Sequence, residues 1–523
     1  MSKEKTTGPY QNTFFLLFVT ATFVSNVGTW LFSVGSGWLM TELDSSAFMV
    51  SLVQTATLIP LFVLAIPAGA IGDIYDQKKI IVITQSLLIL NTLVFAYIVY
   101  LGKASVTLLL VFTLLNGVGA AFSRPIMAAL VPRLVQRSHL RTAVNLTGIA
   151  YNLSRALGPI LGGTLITLYA LDMPFWIDGL SFGAVVLVIL FWKNDTNDND
   201  LPKQKLTWAM GDSIRFLRYT PALYHSILRA VLFFFPAAAL WALMPLIARE
   251  QFAGGPDLYG YLLGASGFGA VSSVLFSKVA SKTIGTNRLT VLVSCMLGIC
   301  LLLLGFVASK YVALGICLVA GICWQLAFTN LMTSTQYALP KWYGARGMAY
   351  FLMAMSGSLG IGSALWGVFS DETSLTYGLY AAGILSIVIA FIGTRFPLDQ
   401  AKSGNFTAAT DIPELSIPTE GENEGWVLIH IEYALGKVDR QEAINKIRTL
   451  RNKRYRSGAI DWKLFSPADR SDTLIESFYE VSLEQYERHR EQITQYDREQ
   501  IEELIAWFKD HQGSVDRKHY LEV

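Results

Sequence analysis

Four ionisable side chains stand inside otherwise apolar stretches of this 523-residue chain: Arg124, Arg155, Asp178 and Arg229. A charge in the middle of a hydrocarbon layer costs at least ~2.5–3.5 kcal/mol and normally faces a partner or a water-lined space. Arg155 lies thirteen residues from either end of its stretch, 142–168, or ~20 Å by helical rise. That is too deep for its side chain to reach water. The chemistry open to it is attraction of an anionic or carbonyl-rich molecule, or stabilisation of a nearby acid in its charged form. Asp178 is the one carboxylate clearly within a stretch. It lies about one helical turn from the end and reads equally as a structural cap or a proton carrier. Arg124 and Arg229 lie closer to the ends of theirs and read as side chains that extend to the boundary. Asn26, Trp30, Gln54, Asn116, Trp241, Trp324, Gln325 and Asn330 add directional polar groups and aromatic faces. As a set they compose a roomy amphipathic cavity; taken singly, each reads as helix packing. Cys295, Cys300, Cys317 and Cys323 lack metal-ligand or disulfide spacing, and no phosphate-binding G-x-x-x-x-G-K-[ST] loop occurs. Catalytic residues, metals, cofactors and nucleic acid are therefore not expected; binding and passage of a molecule are.

The elements that hold these residues follow from composition. The chain is 53% hydrophobic and 15% charged, against about 25% charged in soluble domains. Half of its 80 charged residues fall in 1–400 and half in 401–523, so no single solvent suits both parts. Twelve apolar stretches, from 13–40 to 374–396, are long enough to cross a bilayer as helices. Continuous runs such as Val106–Val111 argue against a membrane β-barrel. Lys and Arg crowd the loops on the side where the chain begins, among them Lys78, Lys79, Arg133, Arg215 and Lys282. The opposite loops carry only Lys103, Arg249 and Lys310. Both termini are thus expected in the cytoplasm, with an even number of spans. The expected organisation is a six-helix bundle at 1–192, a central cytoplasmic loop at 193–221, a second six-helix bundle at 222–396, a linker at 397–424 and a cytoplasmic α+β domain at 425–523. Ala129–Pro132 and Tyr337–Pro340 end corresponding apolar stretches, which supports an internal duplication and alternating access around a midplane cavity.

Between the second and third spans, Gly69, Asp73 and Lys78 lie in the segment Gly69-Ala-Ile-Gly-Asp73-Ile-Tyr-Asp76-Gln-Lys78-Lys79. It resembles the signature loop of the major facilitator superfamily, G-x-x-x-D-x-x-G-R-K, with Asp76 and Gln77 in place of Gly and Arg. The resemblance implies that Asp73 and Lys78 belong to a gate that closes one access state. The fifth span contains Gly158-Pro159-Ile-Leu-Gly162-Gly163, small residues that permit close helix packing. This segment looks like the G-P-x-x-G-G element of facilitator drug/proton antiporters, and by that likeness points to export. Many such antiporters carry an acid in the first span; Asn26 stands there instead.

In the final part, Trp426–Tyr433 alternates apolar and polar residues like a strand, and a helix is expected from Asp439. Two extended runs near 459–465 and 473–481 come next, then a helix opened by Ser482-Leu-Glu-Gln485 and a last helix around Ile501–Phe508. That order suggests a small ferredoxin-like unit. Arg454-Tyr-Arg-Ser-Gly-Ala-Ile-Asp-Trp462, Glu476-Ser-Phe and Glu487-Arg-His489, with Gly28-Thr-Trp30 and Trp38-Leu-Met-Thr41 in the body, resemble the facilitator branch labelled transmembrane secretion effector, related to enterobactin-type exporters. This resemblance implies a multi-pass transporter of a bacterial plasma membrane, all-α in twelve helices with a small α+β domain. It would export a drug-like or siderophore-like amphipathic compound, with protons as one candidate coupling ion. The terminal domain is similar to small dimeric units, some of them cofactor-free monooxygenases. That likeness raises self-association and, less favoured, an active site at His430, Trp462 and His489. An importing symporter and a membrane-tethered sensor stay open alongside export.

Overall fold

A computed structural model describes residues 12–136, 139–192, 215–339, 344–398, 425–491 and 493–522. Among them are twelve long helices: α1 Thr13–Leu43, α2 Ala47–Ile74, α3 Gln77–Tyr100, α4 Val106–Leu134, α5 Leu140–Leu168, α6 Met173–Leu190, α7 Pro221–Leu246, α8 Pro256–Ile284, α9 Thr286–Phe306, α10 Lys310–Tyr337, α11 Gly344–Glu372 and α12 Leu375–Ile392. A π-helical turn, Ile247–Gln251, extends α7. Eleven of these helices are long and apolar enough to cross a membrane. The exception is α5, whose Asn152, Ser154 and Arg155 lower its hydropathy. It is the helix that least resembles a lipid-facing rod. Several starts are set by side-chain caps: Asn12, Ser46, Asp76, Ser105 and Ser374 each accept a backbone N–H of the first turn.

The chain divides into two compact units. The first comprises Met1–Asn199, Ile227–Met332 and Ala349–Pro397. Within it α1 packs on α5 and α6, α2 on α4, and α3 on α6; in the second half α9 packs on α12. The lipid-facing surface is legible along α3, where Ile83, Leu87, Leu90, Val94 and Tyr97 recur at helical spacing and are exposed. Gln85, Leu88, Thr92 and Phe95 on the other face are buried. Exposed aliphatic rows of this kind suit a solvent that is itself apolar.

The halves α1–α6 and α7–α12 meet along two seams. On one, α5 lies against α8. On the other, Thr55 of α2 donates its hydroxyl to the Gly360 carbonyl of α11 at 2.8 Å. The face opposite the chain's start is fastened by two further contacts between halves. Arg249 donates to the Thr41 carbonyl in the last turn of α1. Asp371 accepts the Ala47 N–H at the start of α2, at 3.0 Å. A cation thus meets a helix C-terminus and an anion a helix N-terminus, the signs the helix dipole favours.

The second unit comprises Asp200–Ser226, Thr333–Met348 and Leu398–Val523. Its sheet has strands β1 Val427–Ala434, β2 Ile460–Phe465, β3 Thr473–Glu480 and β4 Ser514–Leu521, in the order β2-β3-β1-β4. All three pairings are antiparallel. Helices α13 Arg440–Arg456, α14 Leu483–Glu491 and α15 Gln495–Asp510 complete the chain order β-α-β-β-α-α-β. One face of the sheet carries Val427, Ile429, Ile431 and Tyr433 into a core with Ile447, Leu450, Leu504 and Phe508. The fourth strand was not expected. Asp516, Arg517, Lys518 and His519 make it read as a polar tail, yet such charge is normal on an edge strand. Before α7, Arg215 donates to the Gly458 carbonyl and Tyr219 stacks on Tyr455, ring centres 4.9 Å apart.

Candidate functional site

Arg155, at mid-depth on α5, is 7% exposed. Its guanidinium carbon lies 5.2 Å from the Trp241 ring centre and 5.8 Å from that of Trp324. The indoles, carried by α7 and α10, meet edge-to-face with centres 5.2 Å apart. Phe234, one to two turns before Trp241 on α7, packs edge-on against Trp324 at 5.2 Å. Arg155 Nη1 reaches Gln325 Oε1 at 3.4 Å. Among the described residues, Arg155 Nε and Trp241 Nε1 are buried donors without a hydrogen-bond partner. Cation–π contact with a desolvated ring is worth ~2 kcal/mol, whereas desolvating an ion costs several. Neutral neighbours alone therefore do not offset the burial of this charge. One side chain from the first half and four from the second assemble at the junction of the halves, where a transporter's cavity is expected.

The small residues of α5 divide between two neighbours. A Cβ on Gly158 would come 2.5 Å from the Trp30 Cβ, and one on Gly162 would come 3.1 Å from that of Val34, so both serve contact with α1. Gly163 faces α8: its Cβ would lie 2.3 Å from the Pro256 carbonyl oxygen. Reciprocally, a Cβ on Gly260 would lie 2.4 Å from the Pro159 carbonyl oxygen, and one on Gly267 2.6 Å from that of Arg155. Gly260, Gly264 and Gly267 were missed in the sequence, although Gly260-Tyr-Leu-Leu-Gly264 is the small-x-x-x-small spacing of close helix pairs.

Other expected residues are placed differently. Asn116 donates to Thr92 Oγ1 at 3.4 Å, and Asn330 to the Thr286 carbonyl at 3.4 Å, so each bonds inside its own half. Trp30 is the α1 surface against which Gly158 packs; Asn26 and Gln54 are half-buried. Asp178 is not a helix cap. The N-cap of α6 is Asp172, and Asp178 is 1% exposed, with Oδ1 unpartnered beside Gly28. Arg124 is exposed. Arg229 is buried and donates to Asn287 Oδ1 in the first turn of α9, beside Gly393 just after α12, so it reaches the ends of neighbouring helices. Lys78 donates to the Leu190 and Trp192 carbonyls at 2.9 and 2.6 Å, tying α3 to the C-terminus of α6. The surroundings of Gly69 and of the Asp73 side chain lie outside the described residues.

The three aromatic candidates of the terminal domain do not form one site. Trp462 donates to Glu476 Oε1 at 2.8 Å on the helix-covered side of the sheet. His489 Nδ1 lies 3.0 Å from Glu480 Oε2. His430 pairs with Ser477 and Lys518 on the open side, against the Tyr520 ring at 5.3 Å.

Known proteins agree with this architecture. The nucleoside transporter NupG superposes with a TM-score of 0.60 at 13% identity, over 73% of this chain and 99% of its own. A bacterial homologue of the human lysosomal transporter Spinster, solved inward-facing and occupied, gives 0.59 at 13%, over 76% and 97%. In sequence, the staphyloferrin A transporter of Staphylococcus aureus is 22% identical over 72% of this chain and 94% of its own length. Macrolide efflux protein A of Streptococcus pyogenes is 22% identical over 68% and 88%, and the multidrug efflux pump Tap of Mycolicibacterium fortuitum 22% over 73% and 95%. The family model described as transmembrane secretion effector matches residues 4–523, helices and terminal domain together. With two six-helix halves closing on a charged, aromatic seat, the chain belongs to that family of major facilitator transporters and moves small compounds across a membrane.

Proposed function

We propose that this transporter exports a small amphipathic compound from a bacterial cytoplasm by rocking residues 1–192 against 222–396 in the plasma membrane, with both termini inside. The observation that carries the reading is the seat of Arg155, Trp241, Trp324 and Gln325, built from both halves and therefore remade whenever they rock. The contacts of Arg249 and Asp371 fasten the far face, so with an internal N-terminus this is the inward-facing state. Relatives named for macrolide and multidrug efflux support the direction. The coupling ion is the proton and Asp178 its carrier, since a buried carboxylate with an oxygen unpartnered among the described residues costs less to hold neutral than charged. The terminal domain is non-catalytic, in keeping with the separation of His430 from Trp462 and His489.

Everted vesicles test this, with efflux-pump dyes and aryl compounds as cargo and an imposed pH gradient as the driving force. Arg155→Ala is expected to lower gradient-driven accumulation at least ~10-fold, the loss from removing one charged contact. Asp178→Asn is expected to abolish the response to the gradient while leaving exchange down a concentration gradient intact. Wild-type accumulation in both variants would refute the seat and the carrier alike.

A further inference from the structure

We infer that the Arg155 seat takes a monoanionic carboxylate attached to a flat apolar body; this rests on the reading of the chain as an exporter and narrows its cargo. Among the described residues no carboxylate pairs with Arg155, and its one hydrogen-bond acceptor is a neutral amide at 3.4 Å. Arg155 Nε and Trp241 Nε1 are both buried, both donors and both unpartnered. A guanidinium edge presents N–H groups in the geometry that a carboxylate accepts, and Trp241, adjacent to it, adds a further donor. The charge balance selects one negative charge. Among the described residues Arg155 is the cation that faces both Trp241 and Trp324. A dianion such as a phosphate monoester would bring one charge too many into a site this dry. The walls select the body: the Trp241 and Trp324 indoles flank the guanidinium and suit an apolar aromatic or conjugated group beside it.

The test uses the full-length protein in nanodiscs, titrated by calorimetry with 2-naphthoate and with its neutral isostere 2-naphthamide, empty nanodiscs being subtracted. The wild type is expected to bind the acid at least ~10-fold more tightly than the amide. Arg155→Gln should bring the ratio to about one, with an unchanged thermal melting curve showing that the variant is folded; Arg155→Lys should keep part of the preference. Equal binding of the two by the wild type, binding of neither, or a preference that survives Arg155→Gln overturns the proposal. The exporter reading fails by a different result, the absence of gradient-driven export of any compound. Export of neutral cargo alongside equal binding would remove the carboxylate proposal and leave that reading standing.

Discussion

Glu476→Ala is expected to unfold the sheet of the terminal domain. The carboxylate is wholly buried and accepts from Arg454 Nε at 2.9 Å and Nη2 at 3.3 Å, Trp462 Nε1 at 2.8 Å and Tyr433 Oη at 2.7 Å. Removing it strands the buried Arg454 charge, which costs ~3–5 kcal/mol, and leaves two ring donors unsatisfied as well. Amide hydrogen exchange of Val427–Ala434 and Thr473–Glu480 in the full-length chain should accelerate on the order of 10²–10³-fold. Unchanged protection would mean that the network stabilises nothing. Burial pushes the Glu476 carboxyl up, but the Arg454 charge and the donors from Arg454, Trp462 and Tyr433 outweigh it and hold it below the ordinary range. A group depressed in the folded state contributes fully above its unfolded value, about 4.3, and the contribution disappears as pH falls through the folded value. Wild-type protection of these strands should therefore fall below about pH 4. The alanine variant should lack that part of the slope.

Gly163→Val and Gly260→Val are expected to jam the carrier open on the far face. Each introduced Cβ would meet a backbone carbonyl oxygen, at 2.3 and 2.4 Å respectively, which cannot swing away as a side-chain tip would. Overpacking of this sort costs ~1–3 kcal/mol or more, and ~3 kcal/mol shifts an equilibrium between two access states by about 100-fold. Cysteine labelling at the ends of α1 and α2 should become fast while transport drops to background. Gly148→Val, on the same α5 but with nothing within 4 Å of its Cβ, is the control and should transport normally. Equal loss at Gly148 would point to helix propensity and away from the seam.

Much of the fold was readable from residue types, and the features that were not share a common cause. Hydropathy and the depth of Arg155 depend on one segment at a time, so the spans and the buried charge could be placed from the chain alone. Which neighbour a polar side chain meets depends on helix rotation, which hydropathy does not report. Asn116 and Asn330 looked as suited to a cavity as Gln325, yet only Gln325 turns toward Arg155. The glycines of α5 were conspicuous because a proline sits among them. Their counterparts on α8 are spread over eight residues that could equally be ordinary packing, and only the partner's carbonyls give them meaning. In the terminal domain, β1 alternates between a buried and an open face and was legible. Strand β4 lies at the sheet's edge, and Arg517 and His519 stand on the same side as Ile431 and Ile429, so its pattern carries no apolar period.

The far-face fastenings differ from the glycine seam in what can replace them when they part. Arg249 and Asp371 cap helix ends whose N–H and C=O groups bond equally well to solvent. Entering water can thus take over each bond as it breaks, and the latch slips open along a hydrated path with a low barrier. The interdigitated backbones of α5 and α8 have no such stand-in, so that joint should part slowly and the capped corner act as the quick-release catch.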